Sequence, residues 1–182
     1  MFDNLPKGQF KCIAADPPWM YGSDVHRKVD DMKRGKATKH YTCMSTPDLA
    51  QLPVDLVAAD DCFLFLFATS SFLPDALGLV LDWGFTYKQT IPVVKTTQDG
   101  RGLAWGMGSY FRLCSEFLLV GTRGKPQRLN KGVLGYVEAP RGSHSEKPDV
   151  AFSMMEALCT GPRLELFARR PRNGWTVWGN EV

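Results

Sequence analysis

The chain has 182 residues, 44% of them hydrophobic, which is typical of one domain covering residues 1–182. Lys and Arg outnumber Asp and Glu by only 22 to 19, so the net charge alone does not indicate a polyanionic partner. The cysteines form no CxxC pair and the histidines are far apart, which argues against a zinc site or a disulfide framework. The sequence shows no leader peptide and no apolar run long enough to cross a bilayer, so we expect a cytoplasmic protein without membrane or metal.

Strand-like and helix-like periods alternate along the chain, which predicts an α/β fold with a mostly parallel sheet and helices on both faces. Apolar residues at helical spacing after Thr69, and again after Pro148, predict two helices that end near Gly84 and Gly161. The predicted strands cover residues 10–15, 62–68, 85–94, 117–121, 136–139, 164–168 and 175–178.

Three long stretches, roughly residues 21–42, 96–112 and 122–135, do not follow this pattern. Loops of this length in a compact domain are usually lids, binding loops or mobile segments. The first and third are locally basic, and their cations are Arg27, Lys28, Lys33, Arg34, Lys36 and Lys39, then Arg123, Lys125, Arg128 and Lys131. Because Lys and Arg neutralise phosphates, these stretches indicate a nucleic-acid partner, although a solvated loop would have the same composition.

The motif Asp16-Pro17-Pro18-Trp19 directly follows the first predicted strand, and ligands of open α/β sheets bind beyond such strand ends. The residue before a proline is held extended, so Asp16 should continue the strand and then end it. Neither proline has an N–H, which should leave the carbonyls of Asp16 and Pro17 without local donors. A carboxylate and a carbonyl can accept both hydrogens of an amine, and Trp19 offers a flat face to a base. The motif therefore predicts a site for the N6 amine of adenine; a tight turn closed by a core tryptophan is the alternative.

Five pieces of the sequence resemble, in the same order, motifs of the MT-A70 (seventy-kilodalton MT-A) family. They are Asp16-Pro17-Pro18-Trp19, Tyr41-Thr42-Cys43-Met44-Ser45, Lys147-Pro148-Asp149, Glu165-Leu166-Phe167-Ala168-Arg169, and Trp175 with Gly179-Asn180-Glu181. The resemblance covers nearly the whole chain. Members of this family are S-adenosylmethionine-dependent N6-adenine methyltransferases, and they include the catalytic subunit of the messenger-RNA enzyme and compact bacterial and phage DNA enzymes.

The resemblance implies a Rossmann-like class I methyltransferase fold with permuted motif order, in which the catalytic strand precedes the cofactor strand. It implies that Asp16 and the Pro17 carbonyl hold the adenine amine, with Trp19 or Tyr41 against the base. The residues that it assigns to S-adenosylmethionine are Lys147, Glu165, Phe167, Arg169, Asn180 and Glu181. Of these, Lys147 would pair with the cofactor carboxylate, and Glu181 replaces a glutamine of the messenger-RNA enzyme.

The function that follows is methyl transfer from S-adenosylmethionine to the N6 amine of adenine in DNA, by a monomer or homodimer. Transfer requires nitrogen, carbon and sulfur in one line, and a base in a duplex would first have to be flipped out. The compact chain resembles the stand-alone bacterial and phage enzymes, which favours DNA over RNA. The alternatives are an RNA N6-adenine methyltransferase, a non-catalytic partner subunit and a nucleic-acid-binding module without chemistry.

Overall fold

The computed structural model describes residues 5–20, 43–108, 110–142, 146–180 and 182, and within them seven strands form one sheet. The spatial order of the strands is β5-β3-β4-β2-β1-β6-β7. Their bounds are Phe10–Ala15 (β1), Ala58–Ala68 (β2), Thr86–Thr96 (β3), Ser115–Arg123 (β4), Val137–Pro140 (β5), Arg163–Leu166 (β6) and Thr176–Trp178 (β7).

Most neighbouring strands of this sheet are parallel, as predicted. Strand β1 pairs in parallel with β2 and β6, β6 with β7, and β3 with β5, whereas β4 is antiparallel to both β2 and β3. The helices are Thr46–Ala50 (α1), Val54–Val57 (α2), Leu73–Asp82 (α3) and Asp149–Leu158 (α4), with a 3₁₀ turn at Ser70–Phe72 before α3. The predicted α/β class is confirmed.

The apolar core lies on both faces of the sheet, because the central strands are apolar on both sides. Residues 62–68 of β2 are buried throughout, which is the pattern of a strand covered from above and below. Helices α1 and α3 cover one face, where Leu49, Leu79 and Trp83 are buried, and α4 covers the other face through Phe152 and Met155. Helices therefore pack on both faces, as the alternating periods predicted.

Two differences from the sequence prediction have a local cause. Helices α1 and α2 were missed because they are only one turn long, although Ser45 caps α1 through its side-chain oxygen. Strand β6 ends at Leu166, two residues early, because Phe167 has a φ of 62° and turns the chain out of the strand. The turn containing Gly174 (φ 76°) leads into β7, which runs parallel to β6.

The antiparallel direction of β4 puts two of the long stretches at opposite ends of the sheet. Asp16 follows β1, whose end lies beside the end of β2, and β4 begins at this same end of the sheet. The stretch at residues 96–112 leaves β3 there, but the basic stretch at residues 122–135 follows β4 at the opposite end. The basic stretch at residues 122–135 therefore lies far from Asp16, because β4 carries the chain to the other end of the sheet.

Candidate active site

Charged residues continue the apolar stripes of one sheet face at one end of the sheet. Side chains alternate along a strand, so every second residue shares a face. The stripes run Cys12, Ala14, Asp16 along β1; Phe63, Phe65, Phe67 along β2; Val120, Leu118, Glu116 along β4; and Ile91, Val93, Lys95 along β3. Three of the four stripes thus end in an ionisable residue, under the loop that leads into α4.

An ion-pair chain of four residues links these stripe ends. Lys147 Nζ lies 2.8 Å from Asp16 Oδ2 and 3.4 Å from Glu116 Oε2, and Lys95 Nζ lies 2.8 Å from Glu116 Oε1. The Lys147 ammonium also sits 5.4 Å from the centre of the Phe67 ring, within the range of a cation–π contact. We call Asp16, Lys147, Glu116 and Lys95 the charge chain. The negative charges of its two carboxylates equal the positive charges of its two ammonium groups.

Burial and neighbouring charges shift the pKa values along this chain. The pKa of Asp16 is raised, chiefly by burial, and the lowering effect of Lys147 does not overcome this. Burial also opposes ionisation of Glu116, but the charges of Lys147 and Lys95 outweigh it and lower the pKa of that carboxyl. The pKa of Lys147 is raised, because Asp16 and Glu116 outweigh the penalty of burial. The charged form of Lys147 is therefore the one that the fold stabilises.

The backbone at Asp16 differs in one respect from the sequence prediction. The Pro17 carbonyl accepts a hydrogen bond of 2.8 Å from the Trp19 N–H, and the Pro18 carbonyl accepts one of 2.8 Å from Met44. The prediction that the Pro17 carbonyl has no local donor is therefore wrong, because the tight turn returns the Trp19 amide to it. A carbonyl oxygen has two lone pairs, so a second hydrogen bond to Pro17 stays possible.

Trp19 is a core residue, as the alternative interpretation of the motif stated. Its side chain is buried, its ring stacks on Phe72 at 5.1 Å between centroids, and its indole N–H points to the Phe67 carbonyl at 3.4 Å. The prediction that Trp19 offers an open face to a base is wrong, because Phe72 and the core around it occupy that space. Tyr41, the other candidate for this contact, lies outside the described residues.

The predicted cofactor residues on the C-terminal side collect beside β1. Glu165 of β6 pairs in register with Ala14 of β1, and its carboxylate accepts a 2.8 Å hydrogen bond from Arg172 Nε. Phe167 leaves the strand and packs edge-on against Trp178, at 5.6 Å between ring centroids. Burial raises the pKa of Glu165 in spite of Arg172.

Arg169 and Asn180 follow two segments that touch. The Ala168 N–H donates to the Trp178 carbonyl at 2.9 Å, so the chain after β6 runs alongside the end of β7. The charge of Arg169 acts to lower the pKa values of Asp16 and Lys147, but burial of Asp16 and the carboxylates beside Lys147 outweigh it and both pKa values stay raised. The remaining predicted residues, namely Glu181 and the basic residues Arg27, Lys28, Lys33, Arg34, Lys36 and Lys39, lie outside the described part of the chain.

The close approach of these segments requires glycine at position 179. A Cβ atom there would lie 2.2 Å from the Ala168 carbonyl oxygen and 2.7 Å from its nitrogen. We expect Gly179→Ala to lower the free energy of unfolding by about 2 kcal/mol, because backbone on both sides must move. Thermal and urea unfolding would measure this. Gly78→Ala on α3 is the matched control; its Cβ meets nothing within 4 Å, and it should stabilise the helix by up to about 1 kcal/mol. Equal effects of the two substitutions would contradict the expectation.

No helix within the described ranges is both long and apolar enough to span a bilayer. Among the same residues, no group of three or more His, Cys, Asp or Glu side chains has the geometry of a metal site.

The sequence model of the MT-A70 family matches residues 10–181, which include the charge chain and both C-terminal segments. The chain belongs to the MT-A70 family. This MT-A70 protein is therefore a methyltransferase, and the resemblance inferred from the five motifs is confirmed.

The relatives of this MT-A70 protein include short and long chains. It is 33% identical over 199 residues to the Type II methyltransferase M.MunI of Mycoplasma sp, covering 100% of this chain and 82% of that protein. It is 32% identical over 181 residues to the N(6)-adenosine-methyltransferase catalytic subunit METTL3 of Homo sapiens, covering 96% of this chain and 28% of that protein. An N(6)-adenosine-methyltransferase MT-A70-like protein of Arabidopsis thaliana is 29% identical over 180 residues, covering 96% of this chain and 24% of that protein.

Sequence reasoning missed two members of the charge chain, Glu116 and Lys95. One predicted strand ended at residue 94 and the next began at residue 117, so both residues were left outside the predicted sheet. A signal was present, because Glu116 precedes Leu118 and Val120 at a spacing of two, and Lys95 follows Ile91 and Val93 in the same way. A charged residue on the core face of a strand needs a partner, and that need could have identified both.

Proposed function

We propose that this chain is an S-adenosylmethionine-dependent methyltransferase that acts on the N6 amine of adenine in DNA. The observation that carries the proposal is the Asp16 carboxylate at the carboxyl end of β1, paired with Lys147 at 2.8 Å. A partly buried carboxylate at a sheet end can accept a hydrogen bond from an amine, and open α/β sheets bind ligands at such ends. The N(6)-adenosine-methyltransferase names of several relatives agree with this chemistry.

The residues around Asp16 are chemically suited to S-adenosylmethionine. The cofactor carries a carboxylate, an ammonium group and ribose hydroxyls, and the site brings cations (Lys147 and Arg169), a carboxylate (Glu165) and an amide (Asn180) to one end of the sheet. The approach of the backbone at Gly179 to Ala168 supports this placement, because it brings the segments that carry Arg169 and Asn180 together. Phe167, which adjoins them, and Glu181 complete the proposed set.

The chemistry of transfer follows from the properties of the amine. The adenine N6 lone pair is delocalised into the ring, so the nitrogen is a poor nucleophile. A hydrogen bond from each N–H, one to the Asp16 carboxylate and one to the second lone pair of the Pro17 carbonyl, returns electron density to nitrogen. S-adenosylmethionine, when bound, supplies an electrophilic methyl group. Asp16 then accepts the proton that the amine releases, or passes it to water.

The preference for DNA rests on how much of each relative's own length the chain covers. The alignment with M.MunI covers 82% of that Type II methyltransferase, whereas the proteins named for adenosine, a ribonucleoside, are covered to less than a third. RNA is the second candidate, because those adenosine methyltransferases share about the same identity with the chain.

A substrate comparison tests the proposed function. The purified protein is incubated with methyl-labelled cofactor and random-sequence pools of duplex DNA, single-stranded DNA and single-stranded RNA. The pools are digested, and the nucleosides are identified by mass spectrometry. We expect N6-methyl-2′-deoxyadenosine from DNA. Methylated adenosine in the RNA pool alone would show that the substrate is RNA and not DNA. The absence of any methylated adenine would reject the proposed function.

Cofactor binding supplies an independent prediction. We expect Arg169→Ala to weaken the affinity for S-adenosylmethionine about tenfold or more, since one charge-assisted contact is worth about 1.5–3 kcal/mol. Isothermal titration calorimetry would measure the affinity. The neighbouring Arg170 is a matched control, because it pairs on the surface with Glu146 and Asp149. Equal affinities of Arg169→Ala and Arg170→Ala would show that position 169 does not hold the cofactor.

A further inference from the structure

Lys95 is the outermost residue of the charge chain and lies outside the residues proposed to touch adenine or cofactor. It is on β3, two residues beyond Val93, and Val93 pairs directly with Glu116 of β4. Lys95 and Glu116 are therefore diagonal neighbours on one sheet face, where long side chains can meet. The side chain of Lys95 is 31% exposed and that of Glu116 only 6%. Lys95 thus connects a buried carboxylate to solvent.

Glu116 has two cationic partners, and they compete for it. Its Oε1 lies 2.8 Å from Lys95 Nζ, whereas its Oε2 lies 3.4 Å from Lys147 Nζ. Lys147 is closer to Asp16, at 2.8 Å. Because Lys95 offsets much of the negative charge of Glu116, that carboxylate attracts Lys147 less strongly than a lone buried carboxylate would. Lys147 consequently stays nearer to Asp16.

We propose that Lys95 is a positioning residue, which acts through Glu116 to hold the Lys147 ammonium beside Asp16. The proposal rests on the proposed function, because it concerns the placement of two groups assigned there to amine and cofactor. Lys95 itself touches neither reactant. Its effect is to prevent Glu116 from drawing Lys147 away from the reacting groups.

The loss of Lys95 should change two properties of the site together. In Lys95→Met, Glu116 has Lys147 as its remaining partner within the charge chain, and Lys147 moves toward it. Asp16 then loses its counter-ion, so its pKa rises and the acid limb of the rate profile moves to higher pH. The cofactor carboxylate also loses part of its contact with Lys147, so the KM for the cofactor rises.

A double-mutant cycle tests the route through Glu116. The variants are Lys95→Met, Glu116→Gln and the double variant, with Lys95→Arg as the charge-conserving form. Lys95→Met should raise the cofactor KM roughly tenfold in the native background and change it less than about twofold in the Glu116→Gln background. Lys95→Arg should restore most of the native value. The matched control is Lys88→Met, an exposed lysine on the same strand, which should leave the kinetics unchanged.

A readout without turnover separates this proposal from the proposed function. NMR titration of carbon-labelled aspartate carboxyl groups in the ligand-free protein reports the ionisation of Asp16 directly. We expect Lys95→Met to move the Asp16 midpoint to higher pH, and Glu116→Gln to move it lower because a neighbouring negative charge is removed. In the Glu116→Gln background, Lys95→Met should leave the midpoint in place. These shifts are expected even if the protein methylates no adenine.

Three results would overturn the proposal. Equal effects of Lys95→Met in both backgrounds would show that Lys95 contacts substrate or stabilises the fold directly. An unchanged titration midpoint of Asp16 in Lys95→Met would show that the charge chain does not transmit the effect of Lys95 to Asp16. Loss of function in Lys95→Arg equal to that in Lys95→Met would show that the positive charge is not what matters.

Discussion

Asp16→Ala should abolish methyl transfer, with a loss in kcat of about a thousandfold or more, while the fold stays intact. Removing the side chain takes away the acceptor for one N–H of the amine and the group that receives the proton, and each contribution is worth about 10²-fold or more. Asp16→Asn keeps an oxygen acceptor but loses the charge, so its kcat should fall between those of the native protein and Asp16→Ala. Single-turnover methylation of an adenine-containing oligonucleotide would measure both variants.

The stability of the Asp16 variants distinguishes a catalytic loss from unfolding. The pKa of Asp16 is raised in the fold, so the ionised carboxylate opposes folding at neutral pH relative to its protonated form. Lys147 keeps Glu116 as a partner when Asp16 is removed. We therefore expect Asp16→Asn to unfold at a temperature equal to or above that of the native protein. Asp82→Asn, at the exposed end of α3, is the control; near-native turnover in Asp16→Ala would reject the assignment.

Lys147→Met should lose both activity and stability, because Asp16 then loses its ammonium partner and Glu116 keeps only the partly exposed Lys95. The side chains of Lys147 and Glu116 are 11% and 6% exposed, and Lys147 is the only member of the charge chain that contacts both carboxylates. Breaking a buried ion pair by removing one partner costs about 3–5 kcal/mol. Urea unfolding at neutral pH would measure this loss, and calorimetry would measure the parallel loss of cofactor affinity.

The pH dependence of this destabilisation has a defined sign. The pKa of Lys147 is raised in the fold, so its contribution is fully present below the ordinary lysine pKa and disappears as pH rises through the folded value. Without Lys147, the pKa values of Asp16 and Glu116 both rise, and protonation relieves the penalty. The stability difference between native protein and Lys147→Met should therefore shrink as pH falls through the carboxyl range. Lys11→Met, an exposed lysine on β1, should show no such trend.

A pH-independent difference would contradict the electrostatic explanation of Lys147. It would indicate that the aliphatic part of the Lys147 side chain, rather than its charge, accounts for the effect. Lys147→Arg discriminates further, because it keeps the charge but changes the geometry. We expect it to retain most of the stability and to lose cofactor affinity, since a planar guanidinium does not reproduce a point contact between two carboxylates.

Much of the architecture could be predicted from local patterns. The run at residues 10–15 matches β1 residue for residue, and the apolar run at residues 62–68 is the buried half of β2. These predictions succeeded because a strand buried on both faces has few polar residues, whatever its neighbours are. Helices α1 and α2 were not predicted from local patterns, because one turn contains too few residues to show a helical period.

The candidate site was only partly visible in the sequence. Asp16 was predicted from its motif, and the structure places it at the end of β1 beside Lys147. Trp19 was predicted to face a base, yet it is buried against Phe72, because an aromatic residue gives the same sequence signal in a core and in a binding site. Glu116 was not predicted, because the predicted strand began at residue 117 and left this residue outside the sheet.

The amino-acid sequence alone determined the family, the α/β class and the identity of the carboxylate that ends β1, since each depends on short-range patterns or on ordered motifs. Only the tertiary structure decided that Lys95, Glu116 and Lys147 join that carboxylate in one chain of ion pairs. The physical reason is the strand order. Because β4 lies antiparallel between β2 and β3, it places Glu116 between residues that are far away in sequence, and ion pairing depends on distance in space.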